Sequence, residues 1–139
     1  IALEGLLDGD LSMSETHYYF DIITDTDSTL LVDYRPVIQT IVTDIHQEVS
    51  KKIISQRFHS SIVNMIVTVC QQLQSQFGNR PVVLSGGVFL NEFILVNTLI
   101  ALRQQGIQVF SHRDVPTGDG GIALGQLAIT SSIMKEFDS

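Results

Sequence analysis

The chain contains no tryptophan, a single cysteine, three prolines and only eight basic residues among its 139. With Cys70 alone, neither a disulfide nor a cysteine-rich metal site can form within the chain, and a reducing compartment, the cytoplasm, is the expected setting. The formal net charge is −7 and the basic residues are scattered, so no cationic patch exists to neutralise adjacent phosphates. This argues against a nucleic-acid surface, and no nucleic-acid partner is expected. No apolar run approaches a membrane span and nothing at the start reads as a signal peptide. Hydrophobic residues nevertheless make up 44%, enough for one domain with a modest core, and disorder is not expected. The sequence opens on Ile1, mid-pattern, as IALEGLL, which leads us to expect a piece of a longer protein.

What is present is α/β patterning. Ile1–Leu7 reads as the tail of a helix and Asp8–Glu15 as a polar connection. Two runs of aromatic and β-branched residues, Tyr18–Thr24 and Thr29–Tyr34, flank Asp25-Thr26-Asp27-Ser28 and predict a β-hairpin over 18–34. Pro36 marks a helix start, and Val37, Ile38, Ile41, Val42, Ile45 and Val49 form a stripe expected to pack. A longer helix follows from the three- and four-residue recurrence of Ile54, Phe58, Ile62, Met65, Ile66, Val69, Leu73 and Phe77, ending at Gly78-Asn79. These two helices make a helical segment over 36–78.

The last part, 81–137, reads as a βαβα unit: strand Val82–Leu84, a helix from about Asn91 to Gln105, strand Ile107–Phe110, and a final helix from about Gly121 to Glu136. Strands joined by a helix should be parallel. Their apolar composition predicts burial on both faces, so further strands are expected upstream of Ile1.

The runs LSGGVFLN (Leu84–Asn91) and VPTGDGGIALGQ (Val115–Gln126) carry the functional signal. Each has the form strand, glycine loop, helix, which aims backbone N–H groups out of the sheet mouth. Gly86 and Gly87 have no Cβ to obstruct a purine or a phosphate, and Gly87 is expected to take φ > 0. Asn91 could reach a ribose or phosphate oxygen. Taken alone, a Gly-Gly turn is a weak signal, and Asp119 before Gly-Gly-Ile is good helix N-cap chemistry. His59 reads as a core or interface histidine bonded to backbone, and Cys70 as a small buried apolar residue.

Three ordered segments add specificity: IISQRFHSSIVNMI (Ile53–Ile66), VVLSGGVFLNEFIL (Val82–Leu95) and HRDVPTGDGGIALGQ (His112–Gln126). Together they resemble the C-terminal end of the HypF hydrogenase-maturation carbamoyltransferases, and more broadly the domain shared with threonylcarbamoyladenosine-forming enzymes. The resemblance implies a partial lobe of the actin, Hsp70 and sugar-kinase (ASKHA) fold. It also implies that Ser85, Gly86, Gly87 and Asn91 contact the nucleotide and that Asp119 helps to hold a divalent metal ion, Mg, Fe or Zn, beside its phosphates. The family's other metal ligands are histidines four apart in an upstream helix, and no His-x-x-x-His occurs here. Gly118 stands where asparagine is common in the family.

The chemistry implied is formation of carbamoyladenylate from ATP and carbamoyl phosphate, then transfer of the carbamoyl group to a cysteine of a HypE-type partner. This chain would supply the nucleotide-side wall and is not expected to catalyse the whole reaction alone. Two alternatives are a piece of an O-carbamoyltransferase or threonylcarbamoyl enzyme, separated by what lies upstream, and a non-catalytic docking subdomain using the polar face of Pro36–Phe77. An incomplete sheet would also leave apolar edges able to drive self-association.

Overall fold

The computed structural model describes residues 3–27, 29–112 and 120–137. A one-turn 3₁₀ helix, Glu4–Leu7, opens the chain, and an irregular strap then leads to the hairpin of β1 (Asp21–Thr24) and β2 (Leu30–Asp33). The hairpin is antiparallel, with Ile22 opposite Val32 and Ile23 opposite Leu31. Its turn is fixed by Asp25, whose carboxylate accepts from the Thr26 amide at 2.7 Å while its own amide donates to the Thr29 carbonyl at 2.9 Å.

The first strand begins later than the aromatic run predicts. Tyr18 is withdrawn into the body of the protein, because its amide donates to Ser61 Oγ at 2.7 Å and its hydroxyl to Asp44 Oδ2 at 2.7 Å. Burial of the ring and two hydrogen bonds outweigh strand propensity.

Helix α1 (Arg35–His46) carries Pro36 in its first turn, where the missing N–H costs no hydrogen bond. The stripe expected to pack does so only in part. Val37 is buried, but Ile38, Val42 and Ile45 are 49%, 45% and 58% exposed. The helix meets the body through Val37 and Asp44, with Ile41 half-buried beside them.

Helix α2 (Lys51–Phe77) is the backbone of the domain. Ser50 caps it by accepting from the Ile53 amide, and Gly78, at φ +81°, closes it. One face packs Ile62, Ile66, Val67 and Cys70 onto the main core of Leu84, Phe89, Ile94, Leu102, Ile107 and Val109. Another face buries Ser55, Ser60 and Ser61, which a hydropathy reading assigns to solvent, together with His59, which the sequence places in a core or interface.

Those small polar residues let the strap lie close against the helix and supply its missing backbone partners. Ser55 Oγ donates to the Leu3 carbonyl at 2.6 Å, Ser60 Oγ accepts from the Ser14 amide at 2.9 Å, and Gln56 Nε2 donates to the Ser12 carbonyl at 3.0 Å. Further along the chain, Asn97 Nδ2 donates to the Leu11 carbonyl at 2.9 Å. Leu7, Val63 and Phe93 fill the apolar gap beneath.

The remaining elements are β3 (Val82–Leu84), α3 (Glu92–Gln104), β4 (Val109–Ser111) and α4 (Gly120–Phe137). β3 and β4 are parallel, with Val82 opposite Val109 and Leu84 opposite Ser111. Gly106, at φ +74°, turns the chain from α3 into β4. No described helix is long and apolar enough to cross a membrane.

Candidate functional site

The register of β3 and β4 decides what stands at the mouth of the sheet. Because Leu84 lies opposite Ser111, the next residues, Ser85 and His112, leave the two strands side by side at their carboxyl ends. Ser85 Oγ and His112 Nε2 are 3.1 Å apart, within hydrogen-bond distance, and both residues are exposed. This is the edge at which open α/β sheets take their ligands.

Beyond Ser85 the chain turns at Gly86, whose φ of +105° and ψ of 162° lie in a region that residues with a Cβ rarely enter. The sequence places this freedom at Gly87, one residue too late. The turn is complete at Gly86, and Gly87 begins a 3₁₀ turn, Gly87–Leu90, which needs negative φ. Among the described residues, a Cβ on either glycine would meet nothing within 4 Å, so none of them closes the outer face of the loop to an approaching group. Phe89 anchors the loop by inserting into the main core, and Val88 and Leu90 stay exposed on either side.

Asn91 ends the 3₁₀ turn and caps α3: its Oδ1 accepts from the Ile94 amide at 3.1 Å. The oxygen thus gives one lone pair to the helix, and Nδ2 is the donor Asn91 can turn to a ligand.

Next to this loop is a cavity of about 400 Å³. Gly87, Val88, Leu90, Asn91 and Ile94 form one wall, and Leu3, Glu4, Phe58 and His59 the other. His59 is 3% exposed and its ring edges onto Phe58 and Phe93 at centroid distances of 5.9 and 5.6 Å. Its Nδ1 lies 2.8 Å from the Ser55 carbonyl. A carbonyl can only accept, so Nδ1 carries a proton and donates it. An apolar pocket with a few fixed polar groups is the usual form of a small-molecule site.

A larger cleft, about 510 Å³, lies at the opposite, amino end of β3, lined by residues that include Cys70, Leu73, Phe77, Pro81 and Val82. Its lining is chiefly apolar; its polar members, Gln74 and Arg80, are joined by the Arg80 amide donating to Gln74 Oε1 at 2.7 Å. Burial pushes the Cys70 thiol up from its ordinary value, which disfavours the thiolate and argues for a structural role.

The structure therefore brings Ser85, Gly86, Gly87 and Asn91 together at one end of the sheet. The expected metal ligand, Asp119, lies outside the described residues, as does Gly118. Among the described residues no three His, Cys, Asp or Glu side chains are gathered so as to hold a metal ion. His59 is the buried, backbone-bonded histidine that the sequence predicts, whereas His112 is a neighbour that sequence reasoning left without a role. A parallel reading of β3 and β4 already implies that the residues following each strand adjoin, which is the signal for His112.

A parallel strand pair, a glycine turn at its carboxyl end and a flanking helical layer define a partial ASKHA-like lobe of mixed α/β class. Residues 1–126 match the family model described as the carbamoyltransferase Kae1-like domain, second subdomain, and the chain belongs to this HypF carbamoyltransferase family. Carbamoyltransferase HypF of Synechocystis sp. is 35% identical over 127 residues, which is 91% of this chain and 15% of that protein. HypF2 of Cupriavidus necator is 37% identical over 71 residues, 51% of this chain and 9% of that protein.

Among solved structures, full-length HypF in its phosphate- and nucleotide-bound form matches 95% of this chain with a TM-score of 0.81 and 32% identity. HypF of T. kodakarensis matches 97% with a TM-score of 0.70 and 20% identity, a likeness of fold. This chain spans 17% of each of those two structures, so it corresponds to a small part of its relatives' length.

Proposed function

We propose that this chain is the nucleotide-side subdomain of a carbamoyltransferase that makes carbamoyladenylate and passes its carbamoyl group to a cysteine of a HypE-type partner in [NiFe]-hydrogenase maturation. The observation that supports it most is the likeness to HypF in its phosphate- and nucleotide-bound form. The open glycine turn and the adjoining cavity agree with it. In this reading the nucleoside of ATP lies in the cavity beside Gly87, Asn91 and His59, and its phosphates cross Gly86 toward Ser85.

The reaction proceeds by two displacements. Carbamate, released from carbamoyl phosphate elsewhere in the longer protein, attacks the α-phosphorus of ATP and pyrophosphate leaves. The partner's thiolate then attacks the carbamoyl carbon and AMP leaves. Both steps depend on holding the adenylate in place and on donors directed at its phosphate oxygens. The backbone N–H groups of Gly87 and Val88 at the start of the 3₁₀ turn, the Ser85 hydroxyl and the Nδ2 of Asn91 are the proposed donors, the Phe89 amide being bonded to the Gly86 carbonyl. Asp119 is proposed as one carboxylate ligand of a divalent metal that neutralises phosphate charge, the other ligands coming from outside the described residues.

The exposed apolar residues of α1 and the hairpin, Ile38, Val42, Ile45, Ile23 and Leu31, support self-association of the chain in isolation. Sedimentation that stays monomeric at high concentration would remove that part.

The functional reading is tested in a chimera: this chain replaces the matching segment of the Synechocystis HypF. Carbamoyl-phosphate-dependent exchange of labelled pyrophosphate into ATP should persist in the chimera and disappear with Gly86→Val and with Asp119→Ala. A folded chimera that exchanges equally well with both substitutions would sink the assignment.

A further inference from the structure

Ser85 and His112 come from segments 27 residues apart, yet meet at 3.1 Å at the carboxyl edge of β3 and β4. Neither is needed there for packing, since both are exposed. A serine hydroxyl on such an edge rotates freely unless something fixes its proton. We propose that His112 is a positioning residue that orients the Ser85 hydroxyl toward a phosphate of the bound nucleotide. The inference rests on the nucleotide reading given above and names a residue in addition to those assigned there.

Two arrangements of the pair can be drawn. If Nε2 holds the lone pair, it accepts the Ser85 proton, and the hydroxyl has none left for a ligand. If Nε2 holds the proton, it donates to Ser85 Oγ, and the hydroxyl proton is directed away from the ring. An incoming phosphate oxygen is only an acceptor, so it selects the second arrangement: Nε2–H to Oγ, then Oγ–H to phosphate. The ring need not touch the ligand. Gly86, directly after Ser85, adds no side chain to the approach to the hydroxyl, and no described residue lies within 4 Å of the position a Cβ would take.

The pair thus divides the site by chemistry. Phosphates are sensed at Ser85, and the nucleoside is taken up in the cavity lined by Gly87, Asn91 and His59. Adenosine and AMP should therefore respond differently to changes at this pair.

The test uses the 139-residue chain and NMR titration with adenosine, AMP and ATP at millimolar concentrations, with circular dichroism to check folding. Ser85→Ala and His112→Ala should each weaken AMP and ATP binding about tenfold, the scale of one hydrogen bond to a charged group, and leave adenosine unchanged. The double variant should be no worse than either single one, because both remove the same contact. His112→Gln, which keeps an N–H donor, should recover most of the loss. In the native chain, AMP but not adenosine should move the His112 ring nitrogens to the Nε2-protonated pattern. Equal losses for adenosine and AMP, or additive losses in the double variant, would overturn the inference, as would unchanged AMP binding in His112→Ala; the nucleotide reading would survive that last result. A native chain that binds neither adenosine nor AMP would overturn both.

Discussion

Asp44 on α1 and Arg57 on α2 form an ion pair at 2.7 Å, and the acceptor oxygen, Oδ2, also receives the Tyr18 hydroxyl at 2.7 Å. One carboxylate therefore joins both helices to the strap that carries Tyr18. The side chains are mostly shielded, at 10% exposure for Asp44 and 27% for Arg57, so water replaces a lost partner poorly. Asp44→Ala should destabilise the fold by about 2–4 kcal/mol. Tyr18→Phe, which keeps the ring and leaves the ion pair, should cost about 1–2 kcal/mol. Chemical denaturation of the three proteins gives both values.

The same cluster shapes the pH dependence. Burial, then the hydrogen bond to Asp44, pushes the Tyr18 hydroxyl up from 10.0 to about 12. A raised value means its contribution is complete below pH 10 and is lost as pH rises towards 12. For Asp44, burial acts to raise the carboxyl, but the hydrogen bonds from Tyr18 and Arg57 outweigh it and hold the group below its ordinary 3.8. Its contribution is present above pH 3.8 and is lost as pH falls through the depressed value. Melting temperature should thus be level through neutrality and fall at both ends. Tyr18→Phe should flatten the alkaline limb between pH 10 and 12, and an unchanged limb would show that Tyr18 does not cause it.

Gly86 and Gly87 should separate under substitution. At Gly86 an alanine is strained by the φ of +105°, for a cost of about 1–3 kcal/mol. At Gly87 the backbone is ordinary and the space open, so alanine should be nearly neutral for stability. Weaker nucleotide binding by Gly87→Ala with an unchanged melting temperature would mark a position where a ligand approaches the main chain.

Asn91 has both a structural and a proposed binding role. Asn91→Ala removes the cap on α3 and should cost about 1 kcal/mol, whereas Asn91→Asp keeps the capping oxygen. Aspartate, however, replaces the Nδ2 donor with negative charge. Stability retained in Asn91→Asp with nucleotide affinity lost would separate the two roles by calorimetry.

The βαβα unit was legible because its signals are local. The apolar triplet Val82–Leu84 marks β3, Asn91 and Gly106 mark the ends of α3, and the helix between two strands fixes them as parallel; β4, expected over Ile107–Phe110, runs instead over Val109–Ser111. The strap was not legible. Its hydrogen bonds come from Ser55, Ser60, Gln56 and Asn97, residues whose helical spacing looks like a solvent face until a second segment lies on it. Tyr18 was misplaced for the same reason, since its partners Asp44 and Ser61 are distant in sequence. Within the site, the glycine loop and Asn91 could be named from sequence, but the shift of positive φ to Gly86 and the meeting of Ser85 with His112 depend on turn geometry and strand register.

The account's central claim is that the carboxyl end of β3 is a nucleotide site, and the most direct measurement is amide chemical-shift mapping of the chain titrated with ATP. The account predicts the largest shifts at Ser85 to Asn91 and at His59 and His112, with β1, β2 and the cleft at Cys70 and Phe77 unaffected. Shifts centred on that cleft, or none at millimolar ATP in a folded chain, would contradict it.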